Sequence, residues 1–157
     1  MAALGTACSL YSSGRCAFSA GPPAGTFTST VRATISGVSG FATVIVQPGA
    51  VTRVAVAPAA VTLAPGGSTT FTAQAFDTNN NVVTAPVTWA ATSASGAITQ
   101  GCVFTAGTMS GNYPAAITAT INGISGTANV TINAGALAQL TVTPAVATTQ
   151  AGGTLAF

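Results

Sequence analysis

Apolar and polar residues alternate with a period of two along much of the chain. In Tyr113–Ile121, Tyr113, Ala115, Ile117, Ala119 and Ile121 fall on one side and Pro114, Ala116, Thr118 and Thr120 on the other. That is the pattern of a strand buried on one face. Asn122-Gly123 follows, and both residues accept positive φ, so the spacing predicts a hairpin. Its second strand repeats the inward pattern at Ile124, Ala128, Val130 and Ile132. Upstream, Val54 and Val56 predict a short strand that Pro58 ends, because proline cannot donate to a ladder. Pro65-Gly66-Gly67 turns the chain into a strand on which Phe71, Ala73 and Ala75 share a face. Asp77–Asn81 reads as a polar turn, with Asp77 bonding its own backbone. Trp89 and Val87 then alternate with Thr88. No segment carries a 3.6-residue stripe long enough for a helix.

The pattern recurs at long range. Sliding the chain by 86 positions aligns Gly14–Phe71 with Gln100–Phe157 without a gap, and 22 of the 58 positions are identical. ATISGVSGFATV (33–44) returns as ATINGISGTANV (119–130), and RCAFSAG (15–21) falls on GCVFTAG (101–107). VAVAPAAVTLAPGGSTTF (54–71) falls on LTVTPAVATTQAGGTLAF (140–157). If a module opens at the V-x-V-x-P strand, residues 51–134 hold a complete copy. Residues 1–50 then hold the later part of a preceding copy and residues 135–157 the opening strands of a following one. Short strands with turns at intervals of about 8–12 residues point to an all-β chain of immunoglobulin-like β-sandwich modules. One module is complete and two are partial.

Charge narrows the function. The charged side chains are Arg15, Arg32, Arg53 and Asp77, with no Lys, Glu or His. General acid–base work needs a positioned titratable group matched to its task, usually with a partner, and glycoside hydrolysis usually needs two carboxylates. A Ser-His-Asp relay needs an imidazole. Zinc and calcium need ligand clusters that this inventory lacks. Three scattered arginines form no phosphate-tracking stripe, which speaks against nucleic acid. The expectation is a non-enzyme with no cofactor and no metal. The charged fraction is 3%, against about 25% in ordinary soluble domains. Either threonine, serine and amide groups solvate the surface, or neighbouring copies or glycans cover it. Strand edges are usually guarded by lysine, and none is present. The apolar residues are interrupted too often for a membrane span. MAALGTACSL lacks the basic start and apolar core of a signal peptide. A secreted form is therefore expected to carry a leader outside this sequence.

Here a family resemblance becomes visible. VTRVAVAPAAVTLAPGGSTTFTAQAFDTNNNVVTAPVTWAATS (51–93), followed by AAITATINGISGTANVTI (115–132), resembles the bacterial immunoglobulin-like repeat families. Those read V-x-V-x-P, then a glycine turn before F-x-A-x-A-x-D, then Trp, then a strand leading into S-G-T-A-x-V-x-V. The resemblance implies an extracellular or cell-surface module that serves as a stalk or spacer and sometimes as a binding tip. The family is usually richer in Asp, Glu and Lys. Isopeptide cross-links between Lys and Asn, found in some surface fibres, are closed to a chain without lysine.

Individual residues add detail. Cys8 and Cys16 are spaced so that a hairpin-like loop closes a disulfide between them, and the oxidising compartment suits the family. Cys102 aligns with Cys16 but has no partner for Cys8, whose counterpart is Ala94. It is read either as a buried thiol or as the site of an intermolecular bridge. Trp89, Phe71 and Tyr113 are the expected core aromatics. Asn129-Val130-Thr131 is a glycosylation sequon placed mid-strand.

Two functions follow. The first is a non-catalytic structural element of a stalk, fibre or filament, whose partners are other copies of itself or neighbouring immunoglobulin-like modules. One version has chains polymerising by strand complementation between their ends, and the other treats the chain as a window on a longer array. The alternative is an adhesion or glycan-binding module of a surface or phage structural protein. Its partner is a host surface protein or glycan, met by loops such as Asp77–Asn81 or Thr108–Asn112.

Overall fold

The computed structural model describes residues 9–10 and 16–156. The chain is all-β, and no helix among the described residues is long and apolar enough to cross a membrane. A small pair, β1 (Ser9–Leu10) and β2 (Cys16–Ala17), precedes a long hairpin of β3 (Gly25–Ile35) and β4 (Val38–Val46). Ten strands follow: β5 (Arg53–Ala57), β6 (Ala60–Leu63), β7 (Ser68–Thr70), β8 (Thr72–Phe76) and β9 (Val82–Val83), then β10 (Thr88–Ala91), β11 (Gly96–Ile98), β12 (Val103–Ala106), β13 (Gly111–Ile121) and β14 (Ile124–Ile132).

These ten strands make two facing layers. One is a sheet in the order β10-β13-β14-β6, and the other is formed by β5-β8-β9 and β11-β12-β7. Pro58 divides the opening segment between the layers. Before it, β5 pairs antiparallel with β8; after it, β6 pairs parallel with β14, Val61 opposite Val130. A proline offers no N–H to either ladder, so the change of sheet occurs where a bond is already missing. Phe71 makes a second division. The sequence predicts one strand through STTFTAQAF, but the Phe71 N–H turns to the carbonyl of Cys102 (2.9 Å). The strand is thereby split into β7, which pairs with β12, and β8, which pairs with β5.

Between the layers lies one apolar core. Phe71 and Phe104 are fully buried and Trp89 nearly so, with ring centroids of Phe71 at 6.2 Å from Phe104 and 6.5 Å from Trp89. Ile117, Ala119, Ile121, Ala128, Val130 and Ile132 meet Val54, Val56 and Ala75 from the opposite side. β14 and β5 come close together at Gly126. A Cβ built on it collides with the carbonyl oxygen of Val54 and lies 2.9 Å from that carbonyl's carbon. Only glycine lets β5 lie this deep against β14.

One feature of the predicted alternation is corrected. A bulge falls between Tyr113 and Ile117, where the register shifts. Ala115, expected inward, is exposed with φ 48°, and Ala116, expected outward, is buried. Pro114, Ala115 and Ala116 stand opposite Asn129 alone, so the bulge takes up two extra residues. The left-handed Ala115 turns outward, Ala116 turns inward, and the alternation resumes in phase at Ile117. The Asn129 side chain holds the bulge by accepting the Ala115 N–H at 2.8 Å.

The two long hairpins are offset by 86 throughout. β3 and β4 have the same lengths as β13 and β14, and the same bulge recurs between Phe27 and Val31. The turns match as well: Ser36-Gly37 has φ 50° and 82°, and Asn122-Gly123 has 50° and 81°. The cross-strand hydroxyl pairs Thr34–Ser39 and Thr120–Ser125 are both 2.8 Å apart.

Candidate assembly interface

Identical hairpins meet different surroundings. In the second, Ile117, Ala119, Ala128, Val130 and Ile132 are at most 2% exposed, because β5 and the rest of its layer lie over them. Their counterparts in the first are Val31, Ala33, Ala42, Val44 and Val46. Ala33 and Ala42 are exposed, and the three valines are only partly covered. Gly40 makes the contrast sharpest. It occupies the position of Gly126, yet a Cβ built there meets nothing within 4 Å among the described residues. Among the described residues, the slot that β5 fills in one hairpin is open in the other.

The strands that belong in such a slot occur again near the end of the chain. Leu140 and Val142 stand 86 positions beyond Val54 and Val56, and they are 80% and 54% exposed, whereas Val54 and Val56 are 8% exposed. Val146, the counterpart of Ala60 at the start of β6, is 85% exposed. Residues 133–148 lie in no strand. Their following turn is nevertheless formed. Gly153 N–H bonds Gln150 O at 2.9 Å, as Gly67 N–H bonds Ala64 O at 2.9 Å, and Gly152 and Gly66 have φ 83° and 73°.

A polar junction ties the first hairpin to the following strands. Asp77 Oδ1 accepts the backbone N–H groups of Asn79 (2.8 Å) and Asn81 (2.9 Å). Its Oδ2 accepts Gly49 N–H (2.8 Å) and Asn81 Nδ2–H (2.9 Å). Asn81 reaches onward, accepting Ala24 N–H at Oδ1 (2.9 Å) and donating to the Pro22 carbonyl (2.8 Å). One turn therefore holds both the entry to β3 and the exit from β4. The hydrogen bond from the Asn81 side chain, aided by the amides of Gly49, Asn81 and Asn79, lowers the Asp77 carboxyl to about 2 against the opposing effect of desolvation. With four N–H donors on two oxygens, this carboxylate is arranged as a structural anion and offers no face to a cation. Arg53 flanks the junction, 4.1 Å from the Phe76 ring centroid and 3.3 Å from Asn80 Oδ1.

The residues singled out in the sequence are dispersed. Phe71 and Trp89 lie in the core, while Tyr113 is half-buried at its edge and donates its hydroxyl to Met109 O at 2.9 Å. Cys102 sits in the turn before β12 with φ 69°, half-buried and with a free thiol. Asn129 lies mid-strand in β14, exposed, with its side-chain carbonyl committed to Ala115. The proposed Cys8–Cys16 bridge lies outside the described residues, since Cys8 is not among them. Asn81 and the Gly40/Gly126 pair were missed in the sequence. The glycines were legible as identical positions at the 86-residue offset, while Asn81 gave no sign beyond its place in a polar turn.

No family model matches the chain, and no curated protein matches it. Among solved structures it is similar to the S-layer protein rSbsC(31-844), with 21% identity and a TM-score of 0.45 over 73% of this chain and 17% of that one. It is similar to domains 1-6 of surface layer protein SbsC at 20% identity and TM-score 0.45, over 73% and 17% of the two chains. For SbsC domains 4-9 the values are 19% identity and TM-score 0.46, over 76% and 19%. The chain thus spans less than a fifth of each of these structures.

Proposed function

We propose that this chain is a non-catalytic extracellular structural module, an element of a stalk or fibre built from tandem immunoglobulin-like domains and joined to its neighbours by strand complementation. The observation that carries this reading is the unequal fate of two equivalent hairpins. One is covered by opening strands, and the other presents the same apolar face open. A chain with one acidic side chain and three basic ones has little charge to keep such faces apart, so association between modules is the favoured way to cover them. The Asp77–Asn81 junction suits a load-bearing element because it fixes how the first hairpin leaves the following strands. It also weakens the adhesive alternative, since the Asp77 and Asn81 side chains of that loop are committed within the chain. Negative-stain electron microscopy of the purified chain tests the reading. Elongated beaded particles that lengthen with concentration are expected; isolated compact particles at every concentration would overturn it.

A further inference from the structure

Resting on that reading, we infer that the open face of the β3–β4 hairpin is an acceptor for residues 140–149 of a second copy of this chain, seated in one register. Leu140 and Val142 lie across the hairpin, with the Leu140 carbonyl over Gly40, and Val146–Thr149 pairs parallel with Thr43–Val46.

The chain itself contains the template. In the covered hairpin, β5 crosses the apolar face so closely that the Val54 carbonyl rests on the Cα of Gly126. β6 then adds to the edge of β14, Ala60 opposite Asn129 through Leu63 opposite Ile132. Subtracting 86 from the acceptor positions and adding 86 to the donor positions gives the proposed register without adjustment. The acceptor is already shaped for it. Its bulge, its turn and its hydroxyl pair match those of the covered hairpin, and Gly40 keeps the close-approach position clear. On the donor side, Leu140, Val142 and Val146 are exposed and unpaired in any strand, and the turn after them is already made at Gln150–Gly153. Backbone pairing along β4 supplies affinity, and the alternating side chains supply register. Donor and acceptor are different surfaces of one chain, so the contact is heterologous and propagates head to tail.

The outer face of the same hairpin is the competing surface. It carries Phe41, 61% exposed beneath Arg32, and Ile45, 63% exposed. The two possibilities are separated by three variants of the full chain, each followed by light scattering after size-exclusion chromatography over a range of concentrations. Gly40→Val blocks the acceptor, and Leu140→Asp/Val142→Asp spoils the donor on side chains too exposed to affect folding. Phe41→Ser alters only the outer face. Fluorescence from Trp89, buried away from all three, reports that the complete module is intact. The expected result is that the acceptor and donor variants are each monomeric. Mixed in equal amounts, they form particles of twice the single-chain mass and nothing longer, while Phe41→Ser associates like the parent. A mixture that stays monomeric overturns the inference, as does loss of association in Phe41→Ser alone. If the parent associates but neither Gly40→Val nor the donor variant changes it, this register falls while association between chains stands. If the parent is monomeric at every concentration, the functional reading and the inference fall together.

Discussion

Gly126→Ala is the most direct probe of how the two layers meet. The added methyl collides with the Val54 carbonyl oxygen and stands 2.9 Å from its carbon and 3.2 Å from the Val54 Cγ1. The first two are backbone atoms, so no side chain can swing aside. β5 must move, and it is paired with β8 over five residues from Arg53–Phe76 to Ala57–Thr72. Overpacking of this kind costs about 1–3 kcal/mol, and a rigid obstacle belongs at the upper end. Losing a glycine restores roughly 0.4–1 kcal/mol by restricting the unfolded chain. The net loss is about 2 kcal/mol, a large part of the roughly 4–12 kcal/mol available to a module of this size. At roughly 4–8 °C per kcal/mol, the melting temperature falls by about 10 °C. Trp89 is the only tryptophan and is 4% exposed, so its emission during thermal or urea unfolding reports on this module alone. Gly40→Ala supplies the control at the equivalent position, where nothing lies within 4 Å. Measured at high dilution, it leaves the Trp89 transition in place. Equal midpoints for Gly126→Ala and the parent would refute the packing of β5 against β14.

Three further outcomes are expected. Asp77 has a folded-state pKa lowered from 3.8 to about 2, so its contribution to stability is complete above about pH 5 and drains away as pH falls from 4 through 2. It is the only acidic side chain, so Asp77→Asn should flatten that acid limb. The variant should also be less stable at neutral pH, because its amide presents N–H toward the Gly49 or Asn81 donors; an unchanged acid limb in melts at stepped pH would count against the junction. Ala115→Gly should stabilise the complete module by about 0.5 kcal/mol. Relief of a left-handed backbone is worth roughly 1–2 kcal/mol and exceeds the added freedom of the unfolded chain; a lower urea midpoint contradicts the bulge geometry. Gly96→Ala should be severe, costing about 3 kcal/mol or more. Gly96 has φ 137°, and its added methyl meets Thr105 O and lies 2.8 Å from Gly107 N, so loss of the cooperative Trp89 transition is the expected reading.

How much of this was legible before the structure depends on the range of the interaction. Strand-forming alternation, the Asn122-Gly123 turn and the break at Pro58 are local properties of the backbone, and each appears where the residue order places it. The 86-residue offset was readable too, because repeated residues impose repeated local geometry. Ala115 and Ala116 escaped, since two small residues carry no mark of which one a bulge will turn outward. Phe71 could be assigned to the core, but the split of its strand depends on the Cys102 carbonyl, which lies 31 positions away in sequence. Asp77 was readable as a turn residue, whereas its bond to Gly49 and the reach of Asn81 to Pro22 and Ala24 depend on segments brought together by folding. The sequence by itself determined two nearly identical hairpins. Only the tertiary structure decided that one is covered and the other open, because burial is a property of the neighbours a strand acquires and not of its own residues.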